Sequence, residues 1–163
     1  MAFTQVLPGF SATLYAQTGA SPTPITTANL STYATVNALA VTGGQIPVEA
    51  IPAFGQDDAV ASYSIAGSRQ SDKIPVQAAP TSMTVTCAWN PADTQIQLMR
   101  DDAYNGKLDR TFLIKATDGT NNVIYAFNAR VGSFQVDAAP GAEAKAIFTI
   151  HPRGGQYGWS YSP

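Results

Sequence analysis

Residues that carry chemistry are scarce in this sequence. It has one cysteine, Cys87, and one histidine, His151. A lone cysteine excludes an intrachain disulfide. No CxxC or HExxH metal spacing is present, no GxSxG nucleophile elbow and no GxxxxGK phosphate loop. The one nucleophile pairing the composition permits is Cys87 with His151. Cys87 alternates in phase with Met83, Val85 and Trp89, however, which reads as a buried small hydrophobe on a strand. The adjacent pairs Asp57-Asp58 and Asp101-Asp102 are poor cation ligands, since neighbouring side chains on a helix diverge by about 100°. Both pairs read as solvated surface. The expectation is a protein that is not an enzyme, with no metal and no cofactor.

Charge is the second shortage. Only 12% of residues are charged, against about 25% in an ordinary globular domain. So little charge leaves much neutral surface for other subunits to cover. The net charge of −2 offers no basic footprint for gripping nucleic acid. No run reaches the ~18 consecutive apolar residues of a membrane span. "MAFTQVLPGFSATLYAQ" lacks the basic start and unbroken apolar core of a signal peptide. The expected setting is a cytoplasm, without membrane contact.

What is present is mostly strand. The 163 residues suit one domain, or one domain with arms. Residues 1–32 read as an N-terminal arm anchored by Phe10, Leu14 and Tyr15. In "TYATVNALAVTGG", Asn37, Leu39 and Val41 alternate with alanines, which suggests a strand. "QIPVEAIPAF" is extended, and its prolines keep it out of a central strand position. Residues 53–79 lack periodicity and read as a long loop, beyond the usual ~12–15 residues of a structureless connection. "TSMTVTCAW" alternates cleanly. So do "RTFLIKATD", "NVIYAFNARV" and the stretch running through Ala144, Ala146, Phe148 and Ile150. Residues 118–122 form a hairpin turn and Pro140-Gly141 another. The tail, 153–163, is rich in glycine and aromatics and reads as a C-terminal arm.

One helix interrupts the strands, at about residues 91–104. Asn90 suits the N-cap, Pro91 the first position and Asp93 the positive end of the dipole. Ala92, Ile96, Met99 and Ala103 fall on one arc and should face the sheet, while Leu98 points outward. Asp101 and Asp102 sit at the negative end, where each unpaired carboxylate costs about 0.3–1 kcal/mol. Cations of a neighbouring subunit would remove that cost. So would Arg100, Lys107 or Arg110 of the same chain. The fold class is mainly β: a β-sandwich or flattened barrel over residues 33–152 with one packed helix, two arms and a long loop.

The order of these elements resembles the tail tube, or major tail, proteins of long non-contractile-tailed bacteriophages. The segments that carry the resemblance are "VNALAVTGGQIPVEAIPAFG", "MTVTCAWNPADTQIQLMRDD" and "KATDGTNNVIYAFNARVGSFQVDAAPGAEAKAIFTI". A Thr-rich strand followed by W-N-P-A-D and a helix is typical of that family. The resemblance spans roughly residues 33–152. It implies hexameric rings stacked on a tape-measure protein, with tail-terminator and tail-tip proteins at the ends. Such a virion tail, assembled in the host cytoplasm, conducts double-stranded DNA without binding it specifically.

That function suits an acidic or neutral wall, since each lumenal lysine or arginine would add a phosphate contact. Glu49, Asp137 and Glu143 are the candidate lumen residues, with Asp57 and Asp58 secondary. Candidates for contacts between subunits are Leu98, Asp101, Asp102, Tyr63, Ile65, Ile74, Trp159 and Tyr161. The competing reading is an immunoglobulin-like or carbohydrate-binding β-sandwich displayed on a virion or cell surface.

Overall fold

The computed structural model describes residues 11–42, 44–64, 66, 71–106 and 108–162. Phe10, Ile65 and Lys107, each singled out from the sequence, lie outside the described residues. The strands are β1 (Ser11–Ala16), β2 (Gly44–Ile46), β3 (Gln56–Ser64), β4 (Ser71–Pro80), β5 (Met83–Ala88), β6 (Arg110–Thr117), β7 (Asn122–Asp137) and β8 (Lys145–Ser162). Among the described residues three α-helices accompany them: α1 (Thr27–Leu30), α2 (Tyr33–Thr42) and α3 (Thr94–Asp101). The expectation of a mainly β fold holds, and that of a single helix does not.

Six strands form one antiparallel sheet in the order β2-β1-β6-β7-β8-β5. The sheet curls until its two edges meet. Just beyond β2, Val48 bridges Cys87 of β5, and the Glu49 amide donates to the Thr86 carbonyl at 3.0 Å. This seam closes a flattened barrel and hides edges that would otherwise template pairing. Alternation fills the interior. Leu14, Ile46, Val85, Cys87, Phe112, Ile114, Phe127, Phe148 and Ile150 are all buried there, and α3 adds Ile96 and Met99. Burial of this kind is worth about 1.5–3 kcal/mol for each large side chain.

A second, smaller core lies on the outer face of β6 and β7. Leu113, Ile124 and Ala126 meet Leu30 of α1 and Val36 of α2 there, with Tyr33 and Leu39 half-buried beside them. The stretch expected as a strand at 37–41 is thus helical. Tyr33, Val36 and Ala40 recur at helical spacing, and the alanines between them fit either period. The sheet supplied the apolar partner that decided between the two. Gly158 of β8 lets α1 lie directly on the sheet, since a Cβ there would come within 2.6 Å of the Leu30 backbone.

Three further expectations change. Within the supposed N-terminal arm, Ser11–Ala16 is a strand that sits between β2 and β6, with Leu14 opposite Ile114. The supposed loop at 53–79 holds the two-stranded hairpin β3–β4, running from Gln56 opposite Pro80 to Ser64 opposite Ser71. All nine residues of β3 are exposed, so no buried face imposed a period for the sequence to display. The supposed C-terminal arm is the end of β8, paired to β7 as far as Ser162 opposite Asn122. Between Pro152 and Tyr157 the ladder to β7 is interrupted, and Gly155 takes φ +73° there. That interruption masked the strand.

The helix α3 begins later than expected. Residues 90–93 form a turn, and Asp93 is the N-cap, its carboxylate accepting from the Gln95 amide at 2.8 Å and the Ile96 amide at 3.3 Å. Ala92 is therefore outside the helix and exposed, while Ile96, Met99 and Ala103 face inward as expected. The chain leaves α3 through one wide π turn, Asp102–Gly106. That turn carries Asp102 inward onto Arg110. The Arg110 Nε and Nη2 donate to the two Asp102 oxygens, the latter at 2.9 Å. Arg110 Nη1 donates to the carbonyls of Gln17 at 3.1 Å and Gly19 at 2.6 Å. One buried guanidinium thus joins the end of α3 to the exit of β1.

Removing one member of a buried ion pair leaves an uncompensated charge and typically costs about 3–5 kcal/mol. Arg110→Met is expected to lower the unfolding free energy measured by urea titration by that order. Asp102→Leu combined with Arg110→Met should recover most of the loss. Equal stability of Arg110→Met and wild type would show that the pair does not hold the fold.

Candidate functional site

Cys87 and His151, the nucleophile pair the sequence permits, are not brought together. Cys87 points into the barrel, fully buried, its thiol donating to the Ala146 carbonyl at 3.6 Å. Burial, reinforced by the charges of Asp93 and Glu49, pushes the thiol pKa up to about 11. A thiol so far from ionising is a weak nucleophile at neutral pH. His151 lies on the opposite face of the sheet, with its Nδ1 2.9 Å from Ser82 Oγ. The strand alternation that buries Ile150 turns His151 outward, so the pair is kept apart. Among the described residues no group of three acidic, histidine or cysteine side chains could hold a metal ion.

What the fold does assemble is charged and apolar surface. Glu49, Asp137 and Glu143, scattered in the sequence, converge on Lys145. Glu49 pairs with the ammonium at 2.7 Å. Asp137 is its cross-strand partner. The hydrogen bond and charge of Glu49, with lesser contributions from Glu143 and Asp137, raise the Lys145 pKa. The β7–β8 hairpin brings Asp137 and Glu143 there, and the barrel seam at Val48 and Cys87 brings Glu49. Asp57 and Asp58 stand apart, exposed on β3 in the separate two-stranded sheet.

The apolar candidates divide by location. Tyr63 and Ile74 are exposed on the β3–β4 hairpin, and so is Val60. Trp159 is 55% exposed yet held in place, its ring 4.6 Å from Tyr125 and 5.9 Å from Phe54. The Tyr161 hydroxyl donates to Asn121 at 3.0 Å. Leu98 is half-buried against the chain's own interior core. Asp101 remains on the surface beside Arg100, at 2.9 Å. Asp102 is neither solvated nor awaiting a neighbour's cation, because Arg110 of the same chain neutralises it.

Sequence reasoning missed one cluster altogether. Asp109 lies between Arg130 and Arg153 and pairs with both. Burial acts to raise its pKa, but the hydrogen bonds and charges of the two arginines outweigh that and hold it below the usual carboxylate value. The three residues come from the β6 approach, β7 and β8, so no local pattern marks them.

A carboxyl whose folded pKa is depressed contributes stability above its unfolded pKa and loses it as pH falls through the folded value. Asp109→Asn should therefore be less stable than wild type at neutral pH. The difference should shrink as pH drops below about 4. Parallel urea titrations across that range check this, and a pH-independent difference would contradict it.

No protein-family profile matches the sequence, and no curated protein does either. Solved structures match over nearly the whole chain. A chain of the PVC sheath/tube terminator of an extracellular contractile injection system, in the extended state, superposes with a TM-score of 0.64 at 13% identity, covering 97% of this chain and 99% of that one. A chain of the six-fold symmetrised baseplate of the anti-feeding prophage (AFP) gives 0.62 at 9%, covering 98% and 97%. The SPP1 tail tube gives 0.57 at 12%, covering 90% and 76%. At these identities the shared property is the fold, and it is the fold of tail-tube and tube-terminator proteins of phage-like particles.

Proposed function

We propose that this chain is the repeating structural subunit of a tail tube. Six copies close a ring, and rings stack into a conduit that delivers a phage genome into a host cell. The observation that carries this reading is the superposition of 97% and 90% of this chain on chains of a sheath/tube terminator assembly and a tail tube. The six-fold symmetry of the baseplate that contains a third structural neighbour supports the ring number. A structural role also fits the scarcity of reactive side chains.

On this reading, the outer face of β5, β8 and the second half of β7 lines the channel. Thr84, Ser133 and Gln135 lie exposed there, with Thr149 half-buried, and Glu49, Asp137 and Glu143 stand at one end of the face. The middle of the face is small and neutral, Lys145 at one end is paired with Glu49, and Arg130 and Arg153 at the other are paired with Asp109, so the stretch between gives phosphate little to hold. A tape-measure protein occupies the tube during assembly in the host cytoplasm, and terminator and tip proteins cap it. The phrasing of the sequence favours a long non-contractile tail, although sheath-bearing injection systems share the fold. Copurification with a sheath protein would decide for the contractile type.

Electron microscopy of the purified protein should show hollow filaments of uniform width with six-fold end views. A reconstruction should place Glu49, Asp137 and Glu143 on the channel wall. A monodisperse monomer at every concentration tried would overturn the tube reading.

The exposed hairpin generates a second expectation. Val60, Tyr63 and Ile74 present apolar surface outside the barrel, which suits contact with an adjacent ring. Replacing residues 58–78 with a short Gly-Ser turn keeps Phe54 on Tyr125 and should leave the melting temperature of the monomer nearly unchanged. Polymerisation, followed by sedimentation, should stop. Normal long tubes from this variant would show that the hairpin is dispensable for stacking.

A further inference from the structure

Two patches of opposite sign stand at the two ends of one sheet face that the described residues leave uncovered. On β8, Ala146, Phe148 and Ile150 are buried in the barrel. Lys145, Ile147, Thr149 and His151 therefore point to the outer face. The helices α1 and α2 cover Leu113, Ile124 and Ala126 elsewhere on the sheet. They leave this part open, with Ser133 and Gln135 exposed on β7 beside it.

At one end three carboxylates, Glu49, Asp137 and Glu143, surround the single ammonium of Lys145. At the other end two guanidinium groups, Arg130 and Arg153, share the one carboxylate of Asp109. His151 lies opposite Arg130 in the ladder. Lys145 and His151 are separated by roughly 20 Å along β8, at about 3.3 Å per residue. That exceeds the ~8 Å Debye length at physiological salt. The patches therefore do not neutralise each other within one chain, and among the described residues each keeps unmatched charge.

Resting on the tube reading, we propose that the basic patch of one copy docks on the acidic patch of the next copy along the tube. Arg130 and Arg153 meet Asp137 and Glu143 there. Lys145 already pairs with Glu49, which leaves the other two carboxylates for the neighbour. Guanidinium forks suit carboxylates in geometry as well as charge. The second copy is the fitting partner because the same face carries both signs at opposite ends. Translation along the strands sets unlike patches together and leaves one of each sign free at the two filament ends. Such a heterologous contact propagates without closing. A two-fold, head-to-head arrangement would instead oppose like charges, so the contact also fixes the polarity of the tube.

Three variants test this: Arg130→Glu with Arg153→Glu, Asp137→Lys with Glu143→Lys, and all four changes on one chain. Each single-patch reversal should raise the critical concentration for assembly about tenfold or more at low salt. The fourfold variant should return close to the wild-type value, and an equimolar mixture of the two single-patch variants should coassemble. Added salt should weaken wild-type assembly. Thermal melts identify any variant that fails to fold. For the basic patch, the neutral pair Arg130→Gln and Arg153→Gln then serves instead, and an unchanged critical concentration for it overturns the proposal. Single-patch reversals that assemble like wild type, or a fourfold variant no better than the single-patch ones, also overturn it. In both cases wild-type tubes leave the tube reading standing, whereas a wild type that never assembles removes both.

Discussion

One antiparallel ribbon carries the molecule. The ladder of β7 and β8 runs from Asn122 opposite Ser162 to Asp137 opposite Lys145. Its length forces both faces into use. Over part of its course, one face fills the barrel with Tyr125 and Phe127 while the other buries Ile124 and Ala126 under the helices. Further along, the inner face continues with Val131, Phe148 and Ile150, and the outer face stands open. Two irregularities make the change possible, one between Phe127 and Ala129 and one between Val131 and Ser133. Bulges increase local twist and re-aim side chains. At the second, Gly132 leaves room for the His151 ring, which a Cβ would collide with.

Buried polar groups tie the irregular segments to that ribbon. Asn128 donates to the Ile25 carbonyl at 2.7 Å and accepts from Thr111 Oγ1 at 2.8 Å. The Gln17 amide donates to the Thr111 carbonyl at 2.9 Å. With Arg110 reaching Gln17 and Gly19, these bonds hold the crossing from β1 to α1 on the sheet. Polar groups taken out of water must be satisfied, so each such bond specifies where the segment goes as well as stabilising it. The crossing has few apolar anchors of its own, and its path is set by hydrogen bonding.

The shortage of charge acquires a structural meaning. Asp102 and Arg110 are consumed inside the fold. Asp101 and Arg100 satisfy each other on the surface. The charges on the open sheet face are gathered into two clusters with neutral residues between them. For a tube subunit this arrangement separates two demands. On the proposed reading, the middle of the face would stay neutral toward a polyanionic cargo, and the ends would carry the charge for pairing with other protein.

Local patterns in the sequence were enough to determine β5, β6, the first part of β7 and the start of β8, because burial of one face imposes a period of two. They also determined α3 through its apolar arc, though the cap is Asp93 and not Asn90, and the turn at 118–122, where Asp118 accepts from the Thr120 and Asn121 amides at 2.9 and 2.6 Å. The fate of 33–42 was not legible, since alanines suit either period and only docking on Leu113, Ile124 and Ala126 chose the helix. Nor was the hairpin at 56–80, whose β3 buries neither face, or the end of β8, which an unpaired stretch interrupts. The clusters around Lys145 and Asp109 belonged wholly to the tertiary structure. Periodicity reports only which side of its own segment a residue buries, whereas these charges meet because antiparallel pairing and barrel closure bring distant segments side by side.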